Sequence, residues 1–326
     1  MSTLTRGTAL AAALTLAAAA SSPAQVSLVT PELLARHISI LADDSMRGRF
    51  TPSPQLEEAA RYVRDVFRDA GLAPGGPDGA FEQRFPVGGT SAPNEVAVLR
   101  GRDPALAGEY VAVVAHLDHI GVARRAVGTD SIYNGADDNA SGVAGVLALA
   151  RALVKLAPRP RRSVLVIVTS GEEEGLVGSR WFVDHPTVPM DSIVGLVNLD
   201  MISRNRPDSV YLNGWGKSSL SDLVCRLAGE HPELHLAVGP DIEDRPLTPA
   251  DSDHWPFQRR GVPYAFFYTG EHADYHRLGD EPARTDADKA ARVTRLAFYT
   301  VLEIGNAPER PRWMEDARRL NVSGVH

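Results

Sequence analysis

The stretch SVLVIVTSGEEE, residues 163–174, joins an apolar run to three consecutive glutamates. The run is apolar without interruption over the length of a strand, which predicts a buried central strand. Three like charges at the end of such a strand are unfavourable unless a cation neutralises them. We therefore expect a cation-binding site beyond the carboxyl end of this strand.

Strand and helix patterns alternate outward from this stretch. Strands are predicted at 110–115, 163–169, 193–199, 209–212 and 262–268, and helices at 31–42, 55–70, 140–156, 218–229 and 292–305. The alternation predicts an α/β fold with a mostly parallel mixed sheet sandwiched between helices. Residues 75–89 are rich in glycine and proline, so a loop is expected there.

Length and composition allow one large domain. The chain has 326 residues, of which 44% are hydrophobic, and such a chain can bury a sizeable core. We predict a single domain at 25–306, with a helical N-terminal part at 25–93 and an α/β core at 94–306, followed by a charged surface tail at 307–326. A net charge of −7 with mixed signs argues against a nucleic-acid partner. The single cysteine, Cys225, excludes an intramolecular disulfide.

Residues 1–24 have the features of a secretory signal peptide. Arg6 supplies a positive charge, residues 8–20 form an uncharged Ala/Leu stretch, and residues 22–24 are small enough for a cleavage site. The alternative is an N-terminal membrane anchor, but the apolar stretch is too short to span a bilayer. We expect export to the periplasm or beyond, with no stable membrane association after cleavage.

Acidic and histidine residues follow the predicted strands where each strand ends. HLDH at 116–119, Asp200 and DYH at 274–276 come after three of these strands, and NGADDNASG at 134–142 opens a helix. Helix capping would explain the aspartates of that last segment taken alone. Side chains beyond the carboxyl ends of parallel strands meet at one edge of the sheet. Two histidines and three carboxylates suit a pair of divalent cations such as zinc.

The ordered motifs resemble the two-zinc exopeptidases of clan MH, a group that includes bacterial leucyl-type aminopeptidases, glutamate carboxypeptidase and glutaminyl cyclases. The matching segments are HxDH, GADDNASG, EExGLxGS, NLDM and DYH, and the resemblance spans residues 33–306. It implies the zinc exopeptidase (phosphorylase/hydrolase-like) architecture. Only residues 87–93 separate the segments at 81–85 and 94–100, so the accessory domain that many exported relatives insert there is expected to be missing.

The resemblance also implies a metal-ligand set for two zinc ions. His116 and Asp200 would bind one ion, and Glu173 and His276 would bind the other. Asp138 would bridge the two ions.

Further roles follow from the same resemblance. Asp118 would fix the ring orientation of His116, and Glu172 would be the general base that takes a proton from the attacking water. Tyr275 would stabilise the oxyanion, with packing as its alternative role. Glu174 is expected to be a surface carboxylate. Three further histidines are not expected to be ligands: His119, His254 and His272.

The activity that the resemblance implies is that of an aminopeptidase acting on peptides or proteins with a free N-terminus. A carboxypeptidase is an alternative and would need cations near the site, for which Arg204, Arg206 and Arg277 are candidates. A glutaminyl cyclase is another alternative, although cyclases work with a single catalytic zinc. A non-catalytic binding protein on the same fold would have lost ligands or the base, which this chain keeps. The segment LADDSMRGR at 41–49 resembles the N-terminal stretch of exported bacterial members, but the sequence assigns no role to it.

Overall fold

The computed structural model describes residues 23–127, 130–240 and 252–314. The predicted signal peptide lies almost entirely outside these ranges, and so does the tail from residue 315 onward. The strands within them are β1 (Ala73–Pro74), β2 (Glu82–Val87), β3 (Thr90–Leu99), β4 (Tyr110–His116), β5 (Val122–Val127), β6 (Asp130–Ile132), β7 (Ser163–Thr169), β8 (Ile193–Leu199), β9 (Ser209–Asn213), β10 (Ala237–Gly239) and β11 (Tyr264–Tyr268).

A mixed sheet of nine of these strands forms the centre of the described part. Its order is β1-β3-β7-β4-β8-β11-β9-β10, with β2 paired to β3. The four central strands, β7, β4, β8 and β11, run parallel to one another, and β3 and β9 flank them in antiparallel pairs with β7 and β11. Strands β5 and β6 form a separate hairpin. The predicted α/β class with a parallel centre is confirmed.

Helices cover both faces of this sheet. They are α1 (Pro23–Val26), α2 (Pro31–Leu41), α3 (Pro54–Ala70), α4 (Gly142–Val154), α5 (Val177–Asp184), α6 (Ser219–Glu230), α7 (His254–Arg259) and α8 (Ala287–Asn306). Buried residues alternate along β4, so that Val111 and Val113 belong to one apolar core and Ala112 and Val114 to another. The first core includes residues of α2, α3, α4, α6 and α8, and the second includes residues of α5 and α7. Within the described ranges, no helix has the length and apolar character needed to cross a membrane.

The prediction of a loop at 75–89 was wrong for the second half of that range. Glu82–Val87 is strand β2, and Gln83 and Phe85 alternate with more exposed neighbours, as in a half-buried strand. A tight connection at Gly88 and Gly89, both with positive φ, joins β2 to β3. The N-terminal part at 25–93 is therefore not wholly helical. The direct β2–β3 connection leaves no room for an inserted domain there, as expected.

Two helices differ from their predicted bounds, and each difference has a local cause. Helix α8 begins at Ala287 rather than near 292, because the side chain of Asp286 caps it by accepting a hydrogen bond from the Lys289 N–H. Helix α4 begins at Gly142, since residues 136–141 form an irregular turn instead of regular helix. That turn carries Asp138.

Candidate active site

The loops at the carboxyl ends of the parallel strands bring the predicted site residues together. His116 is the last residue of β4, and Asp200 follows β8 directly. Glu172 and Glu173 follow β7 after a turn at Gly171, whose φ is +74°. The parallel direction of these strands puts their ends at one edge of the sheet, as the sequence predicts.

One group of candidate ligands lies on the Oδ1 side of Asp138, and we call it the inner half. His116 Nε2 lies 3.4 Å from Asp138 Oδ1 and 3.3 Å from Asp200 Oδ1. The side chains of His116 and Asp200 are only 2% and 9% exposed. The inner half is thus nearly closed to solvent.

A second group lies on the Oδ2 side of the same carboxylate, and we call it the outer half. His276 Nε2 lies 3.1 Å from Asp138 Oδ2 and 3.1 Å from Glu173 Oε2. The Glu173 side chain is 6% exposed and that of His276 is 36% exposed. The two oxygens of Asp138 therefore face two separate sets of nitrogen and oxygen atoms, which is the arrangement that a bridging carboxylate requires.

Within each half the ligand atoms lie within 4.8 Å of one another. Imidazole nitrogens and carboxylate oxygens are the donors that zinc accepts. Burial raises the pKa of Asp200, whereas hydrogen bonds from His116 and His276 overcome burial and hold the pKa of Asp138 well below its usual range. Burial lowers the pKa of His276, but hydrogen bonds to Asp138 and Glu173 outweigh it and raise the pKa to about 10. When no metal is bound, protonated imidazoles stabilise the buried carboxylates. A divalent cation can supply the same positive charge. The donor set fits a zinc ion in each half.

Glu172 lies beside these ligands but belongs to neither group. Burial raises the pKa of its carboxyl well above the usual value, and the charges of Asp200 and Asp253 add to this despite the opposing effect of His116. Glu172 lines a cavity of ≈ 210 Å³ that opens over the two halves. The other lining residues are His116, Asp138, Asp200, Met201, Phe266, Tyr268, Glu271, Tyr275 and His276. A carboxylate at this position can exchange a proton with a molecule in the cavity.

Tyr275 also lines the cavity, and its ring stacks on that of His276 with the centroids 3.9 Å apart. Burial raises the pKa of its hydroxyl, and the nearby charges of Asp138 and Glu173 raise it further. The phenol therefore stays protonated and can donate a hydrogen bond into the cavity. Glu174, in contrast, is exposed, as expected of a surface carboxylate.

Asp118 contacts both His116 and the segment that carries Glu172. Its Oδ1 lies 3.8 Å from His116 Nδ1, beyond hydrogen-bond distance, and accepts a hydrogen bond from the Glu172 N–H at 3.2 Å. The closer partner of His116 Nδ1 is the main-chain oxygen of Asp118 at 3.2 Å. Burial raises the pKa of Asp118 to about 7. Its role in orienting the His116 ring stays a prediction, and the structure adds a contact to the Glu172 main chain.

Polar residues behind the ligands hold them in place. Ser252 donates a hydrogen bond to Asp200 Oδ2 at 2.7 Å and accepts one from Asn198 Nδ2 at 2.7 Å. The Asp280 carboxylate accepts hydrogen bonds from the main-chain N–H groups of Asp137 and Asp138 at 3.0–3.1 Å. The sequence could not predict these contacts, because the partners lie 52 or more positions apart.

His119, which the sequence does not predict to be a ligand, lies beside the outer half. It is buried, and its Nδ1 lies 2.6 Å from Glu173 Oε1 and 3.7 Å from Asp138 Oδ2. It thus joins the outer half as a residue that can orient Glu173 or bind a cation itself. His254 packs against Tyr264 and Phe266, and His272 lies 3.4 Å from Asp137, outside both ligand groups. The HLDH motif indicates that His119 lies near the site. The spacing alone cannot show whether His119 binds a metal or only contacts a ligand.

The chain matches known proteins in sequence. The model of peptidase family M28 matches residues 94–301, more than half of the chain. Leupeptin-inactivating enzyme 1 of Streptomyces exfoliatus is 26% identical over 263 residues, which cover 79% of this chain and 52% of that protein. A probable zinc metalloprotease of Leptosphaeria maculans is 34% identical over 218 residues, which cover 55% of this chain and 50% of that protein. The chain spans about half the length of these curated relatives.

A solved structure shares the fold. The LapA aminopeptidase of Legionella pneumophila superimposes with a TM-score of 0.70 at 20% identity, covering 88% of this chain and 75% of that one. At this identity the likeness concerns the fold alone. It confirms the α/β exopeptidase architecture predicted from the motifs.

Proposed function

The chain belongs to peptidase family M28, a family of zinc-dependent peptidases, and from that premise we propose that it is an exported zinc aminopeptidase. The observation that carries the proposal is the position of Asp138, whose two carboxylate oxygens face two sets of zinc-type donors. Membership of the family agrees with the resemblance found in the motifs. Export rests on the signal-peptide features of residues 1–24.

The proposed cofactor is a pair of zinc ions. His116 and Asp200 would hold one ion, Glu173 and His276 would hold the other, and Asp138 would contact both. Two such ions lower the pKa of a water molecule and polarise the carbonyl of the bond to be cleaved.

Glu172 supplies the proton transfer in this proposal. Its carboxylate takes a proton from the attacking water and delivers it to the leaving amine. The group must not itself be a ligand, and Glu172 lies in the cavity wall outside both ligand groups. Tyr275 would donate its hydroxyl hydrogen to the oxygen that becomes negatively charged.

The charges around the cavity favour a free N-terminus over a free C-terminus in the substrate. None of the described residues that line the cavity is Arg or Lys, whereas Glu271 adds a carboxylate to the wall. Arg204 pairs with Asp274 at 2.7 Å and Arg206 with Asp208 at 3.3 Å. The described wall therefore offers no guanidinium or ammonium group to a terminal carboxylate, whereas a terminal ammonium would lie near the Glu271 carboxylate.

Met201, Phe266 and Tyr268 add apolar groups to the same wall, and all three belong to one apolar cluster. A pocket of this kind accommodates an apolar side chain next to the cleaved bond. Peptides or proteins with an apolar N-terminal residue are thus the proposed substrates.

The variant Glu172→Gln tests this function together with its exposed neighbour Glu174→Gln as the matched control. Zinc content and hydrolysis of short peptides are measured on the same samples. We expect Glu172→Gln to keep its zinc and lose activity by several orders of magnitude, because the amide cannot accept the proton. Glu174→Gln should keep both.

The substrates in this experiment separate the alternatives. Acetylation of the peptide N-terminus should abolish hydrolysis, and C-terminal amidation should not. The reverse result would identify a carboxypeptidase, and ring closure of an N-terminal glutamine would identify a cyclase. Full activity of Glu172→Gln would refute its role as the base, and wild-type protein without metal or turnover would refute the whole proposal.

A further inference from the structure

The segment at 41–49, to which the sequence assigned no role, contains a buried cation next to the metal centre. Arg49 is 0% exposed. Burial lowers the pKa of its guanidinium to about 10, and the charges of Asp118 and Asp138 oppose that effect. Arg49 is therefore charged at neutral pH. A buried charge is costly unless its hydrogen bonds are satisfied, so its partners indicate what the residue holds in place.

The guanidinium donates hydrogen bonds to main-chain carbonyl oxygens of separate segments. Its Nε donates to Leu117 O at 2.7 Å, its Nη1 to Asn134 O at 2.8 Å and its Nη2 to Gly135 O at 2.9 Å. Nη1 also donates to Leu41 O in the preceding helix. One planar group with several fixed donors thus ties together stretches of chain that are 17 or more positions apart in sequence.

Two of these stretches carry candidate metal ligands. Leu117 stands between His116 and Asp118, and Gly135 lies three positions before Asp138. His116 and Asp138 must approach within a few ångströms for the inner half to form. Arg49, which does not line the cavity, holds the main chain beside both of them.

The rest of the segment repeats this pattern. The Gly121 N–H donates to Gly48 O at 3.2 Å, and Asn134 Nδ2 donates to Ala42 O at 2.8 Å. Gly48 has a φ of +66°, and a Cβ there would lie 2.4 Å from Gly121 O. The main chain at Gly48 thus approaches the main chain at Gly121 too closely for a residue with a side chain. Two positions after the segment, Thr51 Oγ1 accepts a hydrogen bond at 3.1 Å from the N–H of Gly171, directly before Glu172. The segment therefore contacts the loops of the ligands, and the residue that follows it closely in sequence contacts the loop of the proposed base.

We propose that Arg49 is a positioning residue for the metal centre, which holds the loops of His116 and Asp138 in their binding geometry. The inference rests on the proposed metal site but not on the peptidase activity. Its consequence is that the guanidinium sets the affinity for metal, because the ligands are held in position before an ion arrives. The charge alone is not sufficient, since the fork of donors must reach four carbonyl oxygens, those of Leu41, Leu117, Asn134 and Gly135.

The variant Arg49→Lys tests this inference, because lysine keeps the charge and loses the fork. Arg162→Lys is the matched control. Arg162 is also a buried arginine that donates to main-chain carbonyl oxygens, those of Ile304 and Ala307, but it directly precedes β7, at the end of that strand opposite Glu172. Zinc affinity is measured by competition with a chelator, metal geometry by the visible absorption of the cobalt(II)-loaded protein, and folding by thermal unfolding.

We expect Arg49→Lys to weaken zinc binding by about 10- to 100-fold, as removal of groups behind metal ligands does, and to change the cobalt spectrum. Arg162→Lys should lower the unfolding temperature with wild-type zinc affinity and spectrum. Equal zinc affinities for the two variants would overturn the inference. Tighter zinc binding by Arg49→Lys would also overturn it.

A second variant decides the matter if Arg49→Lys does not fold. Asn134→Ala removes the two side-chain hydrogen bonds from Asn134 to Ala42 O and Asp44 Oδ1, which also join the segment to the loop of Asp138, and it should weaken zinc binding by a smaller factor. Unchanged affinity in that variant would contradict the proposal. Wild-type protein that binds zinc without hydrolysing peptides would refute the proposed function and leave this inference standing.

Discussion

The inner and outer halves of the metal centre share Asp138 but differ in how they are enclosed. The inner half consists of His116 and Asp200, both nearly buried, and Ser252 holds the second oxygen of Asp200. The outer half depends on His276, whose side chain is 36% exposed and sits on a loop far from the other ligands in sequence. The ligands of the inner half are thus held by burial and by the hydrogen bond from Ser252.

This difference in exposure indicates different roles for the two halves. A buried, well-supported group holds an ion with little change of geometry, whereas a group open to the cavity can adjust as substrate enters. The outer half is also the side on which Tyr275 lies, stacked on His276. Variants at Tyr275, His119 and Ser252 test whether the two halves have different roles.

The largest expected effect in this comparison comes from Tyr275→Phe. Loss of one hydrogen-bond donor to a developing oxyanion typically lowers kcat by about 100- to 1,000-fold. We expect that loss with KM and zinc content close to wild type, because the ring still stacks on His276. Steady-state kinetics and metal analysis provide the measurement. Unchanged kcat would reduce Tyr275 to a packing residue, and lost zinc would show that it supports the outer half instead.

A smaller effect is expected from a matched pair of variants, one behind each half. His119→Gln removes the nitrogen at 2.6 Å from Glu173, and Ser252→Ala removes the hydroxyl that donates to Asp200. Each should weaken zinc binding by about 10- to 100-fold at its own half, which stepwise titration with zinc would resolve.

The two variants of this pair serve as controls for each other. If both weakened the same binding step, the division into halves would be wrong. A loss of zinc in His119→Gln far beyond that of Ser252→Ala would show that His119 is a ligand and not a supporting residue.

The sequence predicted the part of the site that strand order determines. Ligands at the ends of β4, β7 and β8 follow from apolar runs and their last residues, because parallel strands end at the same edge. Strand β2 was missed, since its proline and the flanking glycines resemble a loop when the pairing partner is unknown. The roles of His119 and Arg49 could not be found either. Both depend on hydrogen bonds between loops, and residue spacing contains no information about how distant loops approach one another.

The most direct test of the central claim is a crystal structure of the wild-type protein grown with zinc, with anomalous data collected on both sides of the zinc absorption edge. We predict two zinc peaks about 3.5–4 Å apart, one at Asp138 Oδ1 with His116 and Asp200, the other at Asp138 Oδ2 with Glu173 and His276. A single peak, or peaks that do not contact Asp138, would contradict the account.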